Sequence, residues 1–316
     1  MRPQVSPAGL GLGAAFWIQE ARWPALRDAV RAAEDAGFGS VWVDDHLLND
    51  EGDPDRPKLE GWTTLTALAA VTSRVRLGLL VGANTFRNPG LVAKMAVTLD
   101  EISGGRAVLG LGAGWMEQEH RAFGFDFGAS PGERLDRLEE SVMLVRRLLA
   151  GERVTHAGRF YAFADAVVRP GPIRGSIPIL IGGSGRRRTL RIVARHADVW
   201  NCYGDAGELA DASAALDEHC AAIGRDPATV ARTVTQNVVV RTGRREALDA
   251  FAAYARVHAM QPGEDQPDLA GSPAEVAAGL RTVARLGFTE SIWVFRTPWD
   301  LETLERAPEV RAALAG

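Results

Sequence analysis

Ser40-Val41-Trp42-Val43-Asp44-Asp45-His46 joins two kinds of residue without a break. The first four suit a short strand that is apolar on both faces, as strands covered by helices on both sides are. The last three are two carboxylates and an imidazole, placed where the strand ends. Reading outward, similar runs recur at Leu10–Phe16, Val75–Val81, Ala107–Leu111, Ile177–Ile181, Val199–Asn201, Thr233–Val240 and Ser291–Phe295. A helical pattern follows each of them, and this alternation argues for parallel βαβ units. Eight such units predict a closed (β/α)8 TIM barrel, with an open doubly wound sheet as the alternative.

The helices carry their own start signals. Ser130-Pro131-Gly132-Glu133 and Ser272-Pro273-Ala274-Glu275 read as capping boxes with Pro at the first helical position. Arg134–Leu149 places Leu135, Leu138, Val142, Val145 and Leu149 on one helical face. Two regions interrupt the alternation. Residues 152–177 contain a hairpin-like stretch from Val154 to Tyr161 and read as an insertion between the fourth helix and the fifth strand. Residues 259–271 are polar and Pro-rich and read as a mobile loop. With no internal repeat and no internal boundary, residues 1–316 are expected to form one domain.

Composition narrows the chemistry. A net charge of -4 gives no basic excess for nucleic acid, and no run of 18 apolar residues suggests a membrane span. The N-terminal stretch reads as a first strand and not as a signal peptide, so a cytoplasmic protein is expected. Cys202 and Cys220 make neither a disulfide framework nor a CxxC pair, and the histidines lack metal-ligand spacing, so no metal is expected. The only lysines are Lys58 and Lys94, neither at a strand end, which argues against a Schiff-base mechanism.

On a barrel, chemistry gathers where strands end. After the second strand, Asp44 and Asp45 beside His46 could tune the imidazole and fix its tautomer; the other reading is a loop histidine held by its neighbour. After the third, Leu80-Val81-Gly82-Ala83-Asn84 is small enough for a planar ligand to approach the backbone. After the fourth, Gly110-Leu111-Gly112-Ala113-Gly114-Trp115 lacks the full GxGxxG fingerprint but offers close approach and a stacking face. After the fifth, Gly182-Gly183-Ser184-Gly185 opens a helix whose first turn carries Arg186, Arg187 and Arg188. Those cations oppose the helix dipole unless an anion is bound, so the turn reads as a phosphate site, with one arginine reaching the ligand. Asn201 and Arg296 end two further strands. Ile102-Ser103-Gly104-Gly105-Arg106 precedes a strand, lies on the opposite face and reads as structural.

Taken together, Gly37-Phe38 through His46, Arg87-Asn88-Pro89 through Trp115, Gly132-Glu133-Arg134, Gly158–Tyr161, Ile179–Gly185 and Ala197–Asn201 resemble the luciferase-like oxidoreductases, most closely their F420-dependent branch. The resemblance covers nearly the whole chain and is weakest over the last 80 or so residues. It implies a deazaflavin (coenzyme F420) or flavin (FMN) ring at the mouth of the barrel, supported near a non-proline cis peptide at Leu80-Val81. It also implies Asp45 and His46 as catalytic residues beside the reactive part of the ring. Asn84, Gly112, Trp115 and Gln118 would line the ring or its side chain, and Gly182, Gly183, Ser184 and Gly185 would hold the phosphate. A homodimer and an F420 or flavin reductase partner follow from the same resemblance. F420-dependent sugar-phosphate dehydrogenases place a Trp shortly after the Asp-His pair and a Glu where Trp115 stands. Asn49-Asp50 and Trp115 take those places here, which argues against a sugar phosphate.

The expected activity is hydride transfer between F420 and a small organic substrate. The rival readings are an FMN-dependent monooxygenase, a non-catalytic flavin-binding protein, and a sugar-phosphate isomerase or lyase on a similar barrel.

Overall fold

The computed structural model describes residues 9–50, 52–258, 260 and 266–316. In chain order its strands are β1 (Gly11–Phe16), β2 (Ser40–Val43), β3 (Arg76–Leu79), β4 (Gly82–Ala83), β5 (Leu109–Gly112), β6 (Val154–Ala157), β7 (Ala162–Ala166), β8 (Ile179–Gly182), β9 (Val199–Cys202), β10 (Ala231–Gln236), β11 (Val238–Val240), β12 (Leu269–Gly271) and β13 (Glu290–Phe295). Nine of them form one sheet in the order β3-β2-β1-β13-β10-β9-β8-β5-β4. Its two ends meet: Leu77 of β3 bridges Ala107, and the Val108 amide donates to the Leu77 carbonyl at 2.8 Å. The sheet is therefore a closed barrel. β3 and β4 are halves of one strand, so the nine strands fill eight positions around it.

The expected barrel is present, with three corrections to its elements. The run Val75–Val81 breaks at Leu80-Val81, whose peptide bond is cis. The run Thr233–Val240 is two strands, because the Asn237 amide leaves the ladder and donates to the Asp268 carboxylate at 2.6 Å. β11 then pairs outside the barrel with β12. Residues 269–271, read as loop, are thus a strand; 259 and 261–265 of that segment lie outside the described residues. The expected hairpin within 152–177 is β6 and β7, paired antiparallel.

Helix starts follow local chemistry. The Ser272 box is complete, with Glu275 returning to the cap. Ser130 accepts from the Glu133 amide at 3.1 Å, but the Glu133 carboxylate turns to Arg137, so that box is half made. Glu60 caps the helix Gly61–Val71 through the amides of Trp62 and Thr63. Among the described residues, no helix is long and apolar enough to cross a membrane.

Inside the barrel, Ala15, Trp17, Trp42, Leu80, Val108, Leu180, Val199, Ile292 and Val294 pack as one cluster. A Cβ at Gly78 would stand 2.5 Å from the Trp42 ring, so the missing side chain makes room for that indole. Below this layer the N-terminal end is closed by polar groups that satisfy one another. Ser40 donates to buried Glu290 at 2.7 Å and accepts from the Trp42 indole at 2.7 Å, while Arg76 pairs with Glu290 at 3.1 Å. Arg106 donates to the carbonyls of Ala69, Thr72 and Val75 and ties neighbouring elements together. The stretch 102–106 is structural, as read.

Candidate active site

At the C-terminal mouth the barrel opens into a cavity of ≈ 530 Å³. Its floor is made where the third barrel strand breaks: Leu80, Val81 and Ala83 line it beside Gly112 and Gly182. Val81 sits between those two glycines. A Cβ at Gly112 would come within 2.6 Å of a Val81 methyl, and one at Gly182 within 3.0 Å. The floor is consequently small, apolar and free of projecting polar side chains.

One wall is ionic. His46 is largely buried, and its Nδ1 lies 2.9 Å from Glu119 Oε1. The other Glu119 oxygen accepts from the Leu47 amide at 2.8 Å, so the carboxylate is fixed from both sides. Its acceptor character places a hydrogen on Nδ1 and leaves Nε2 as the nitrogen not held by Glu119. Nε2 is 3.7 Å from Asp50. Burial pulls the His46 pKa down, but hydrogen bonding to Glu119 and the charges of Asp50, Asp44 and Glu119 outweigh it and hold the pKa above the ordinary value. Trp115, 64% exposed, stands edge-on to the imidazole with ring centroids 5.3 Å apart.

Behind His46 lies a buried ion cluster. Lys58 pairs with Asp44 and, at 3.3 Å, with Asp50, and its side chain is 2% exposed. Burial lowers the Lys58 pKa, yet the two carboxylates more than reverse it, so the group stays an ammonium. Asp44 also accepts the Ile18 amide at 2.9 Å. The segment after β2 is thereby anchored to the end of β1.

Asp45 is engaged differently from His46. Arg87 grips both its oxygens at 2.6 and 3.0 Å, and the Ala83 amide donates to it at 2.9 Å. Complete burial pushes the Asp45 pKa up to about 6, against the pull of Arg87 and Ala83. Arg87 reaches on to Glu60 at 2.7 Å. Asp45 therefore lines the cavity with its carboxylate spent on Arg87 and on bracing the broken strand through Ala83.

The other expected residues divide. Leu80, Val81, Gly112, Trp115, Gly182 and Gly183 line the cavity. Asn84 and Gln118 do not: Asn84 is buried and donates to the Tyr161 hydroxyl at 3.1 Å, and Gln118 is exposed. The helix Glu117–Phe123 presents Glu119 to the cavity in place of Gln118, one position away. Ser184 and Gly185 are exposed just beyond the lining, in the turn before the helix Thr189–His196. Of the three arginines, Arg186 pairs with Asp211 at 2.9 Å and Arg188 with Asp136; among the described residues Arg187 has no ion pair. Sequence reasoning missed Asp50, Glu119, Tyr203 and Asn237, which line the mouth, and the buried Lys58 that pairs with Asp50. Only Glu119 left a usable signal, an acidic residue in the first turn after Trp115. Among the described residues, no three His, Cys, Asp or Glu side chains gather as a metal ligand set would.

Residues 6–269 match the luciferase-like monooxygenase family. Over 283 residues the chain is 31% identical to the F420-dependent hydroxymycolic acid dehydrogenase of Mycobacterium tuberculosis, spanning 86% of this chain and 76% of that protein. It is 39% identical over 170 residues to the F420-dependent glucose-6-phosphate dehydrogenase of Microbacterium testaceum, a match spanning 52% of this chain and 48% of that protein. Among solved structures, an F420-dependent secondary alcohol dehydrogenase in complex with an F420-acetone adduct superposes with a TM-score of 0.84, covering 96% of this chain and 99% of the other. At 20% identity that likeness bears on fold alone.

Proposed function

The chain belongs to the luciferase-like monooxygenase family, and from that premise we propose that its barrel mouth transfers a hydride between coenzyme F420 and a small organic substrate. The observation that carries this reading is the pairing of a flat apolar floor with a single oriented imidazole. Val81 fills the space that side chains at Gly112 and Gly182 would need, and the resulting platform suits one face of a planar tricyclic ring. When bound, F420 supplies a ring carbon that gives or accepts the hydride. The protein's own residues position the partners, exclude water and manage the proton.

His46 manages the proton. With Nδ1 taken by Glu119, Nε2, 3.7 Å from Asp50, is the nitrogen assigned to the substrate's proton. In alcohol oxidation the carbon-bound hydrogen leaves as hydride while the hydroxyl proton passes to Nε2. In the reverse direction His46 returns that proton to the carbonyl oxygen. Glu119 is a positioning residue for His46. The turn Gly182–Gly185 receives the cofactor's phosphate, and Arg187 is the arginine we assign to it. Trp115 and Asp50, standing where sugar-phosphate enzymes differ, weigh against a sugar-phosphate substrate.

Equilibrium titration with F420 and with FMN, followed by ring fluorescence, tests the reading directly. F420 should bind and support turnover of an alcohol, carbonyl, imine or activated alkene. Tight FMN binding without F420 binding, together with oxygen uptake, would replace this reading with an FMN monooxygenase. Cofactor binding with no turnover on such a panel would leave a non-catalytic binding protein.

A further inference from the structure

A second cavity, of ≈ 390 Å³, adjoins the mouth and shares Asn237, Val294 and Arg296 with it. The two differ sharply in chemistry. The charges of the mouth crowd around His46, whereas the second cavity is walled largely by Val238, Phe251, Tyr254, Val257, Trp299 and Leu301. Of its lining cations, Arg241 is neutralised by Asp300 at 3.0 Å and Glu302 at 3.1 Å, and Arg296 stands at the border with the mouth. Val257 and Leu301 remain 57% and 45% exposed. Large apolar side chains gathered at a concave, ligand-sized space mark a binding surface more often than a packing defect. Between the cavities, Arg296 donates to Asn237 Oδ1 at 2.8 Å, and the Asp268 carboxylate accepts from the Asn237 amide at 2.6 Å.

We propose that the substrate carries an apolar alkyl or aryl substituent, that this substituent occupies the second cavity, and that the reacting carbon lies beyond the Asn237–Arg296 pair, beside His46. This rests on the hydride-transfer reading for the identity of the reacting carbon, but the apolar subsite stands on its own geometry. The substrate class is an amphiphilic alcohol or carbonyl compound, polar at one end only.

The probes are 2-alkanols from 2-butanol to 2-decanol, titrated against the full-length protein by calorimetry, without cofactor and then with F420. Affinity should rise about three- to four-fold per methylene until the cavity is filled, and then level off. Ala253→Trp places an indole in the cavity from an exposed helical position that can carry it without disturbing the core. It should flatten the rise and leave F420 affinity unchanged. Leu301→Glu adds a charge to the rim at a helix N-terminus, where an acidic residue favours folding, and should flatten the rise as well. Affinity independent of chain length, or a full slope in both variants, would overturn the proposal even if turnover with F420 is found. A slope that both variants abolish, without any hydride transfer, would uphold the subsite and sink the hydride-transfer reading instead.

Discussion

The two ends of the barrel are built from the same kinds of residue and put them to opposite use. At the N-terminal end, Glu290 is surrounded by Ser40 and Arg76, and Arg106 spends its donors on main-chain carbonyls. Each group meets a fixed partner. At the C-terminal end, Asp44, Asp45, Asp50, Glu119, His46, Lys58 and Arg87 are as densely paired, but around an opening. Pairing at the bottom closes the barrel, whereas pairing at the top surrounds a cavity that His46, Asp50 and Glu119 all line. A polar group in a fold is thus read by what its pairing surrounds, and not by its burial alone.

Substituting His46 should separate the two ends most strongly. His46→Ala is expected to lower turnover by about 10²–10⁴-fold, the usual worth of a positioned acid-base group, while cofactor affinity changes little. Steady-state kinetics beside a cofactor titration checks this, and unchanged turnover would strip His46 of its role.

A matched pair of carboxylate deletions probes the same contrast through stability. Asp45→Ala leaves Arg87, whose side chain is 13% exposed, with half its partners gone, and should cost about 3–5 kcal/mol in urea unfolding. Cofactor affinity should fall with it, because the Ala83 amide under the floor loses its acceptor. Glu290→Ala frees Arg76, whose side chain is 45% exposed and can turn to water, so about 1–3 kcal/mol is expected, with cofactor affinity unchanged. Equal losses of affinity in both variants would show that the two ends are not independent.

The smallest effect concerns protonation. His46 is raised above its ordinary pKa, so its charge contributes stability that is present below about pH 6.5 and is lost as pH rises through the folded value. Glu119→Gln removes one of the groups that raise it and leaves burial to pull it down. The His46 proton resonances should therefore titrate at lower pH in the variant. The stability gap between the two proteins should be wider at pH 6 than at pH 9, and the pH–rate profile should move the same way. A His46 titration that does not move would reduce Glu119 to a helix-packing role.

Much of the architecture was legible because the signals were local. Ser40–Val43 is a strand with the expected boundaries, since an apolar run ending in Asp44-Asp45 can stop in few other places. The break at Leu80-Val81 leaves no mark in composition: the run from Leu77 to Val81 carries no polar side chain, and only the family resemblance located it. Asn237 looked like a strand interior until Asp268, 31 positions on, took its amide. Of the site, the floor and His46 were legible. The ion cluster was not, because Lys58 stands in a polar loop and is buried only by tertiary packing against Asp44 and Asp50. Gln118 and Glu119 were confused for a simpler reason: near a helix start, a one-residue shift rotates the side chain by about 100° and exchanges the inward and outward positions.

Lys58 has one more consequence. The chain has two lysines; Lys94 lies on an exposed helix surface, and Lys58 is walled in by two carboxylates. Amine-reactive reagents should modify Lys94 readily and spare Lys58 for as long as the segment after β2 keeps its seat. Acylation of Lys58 then counts the moments when that segment lifts, so the molecule carries a built-in gauge of how often its own doorway loosens.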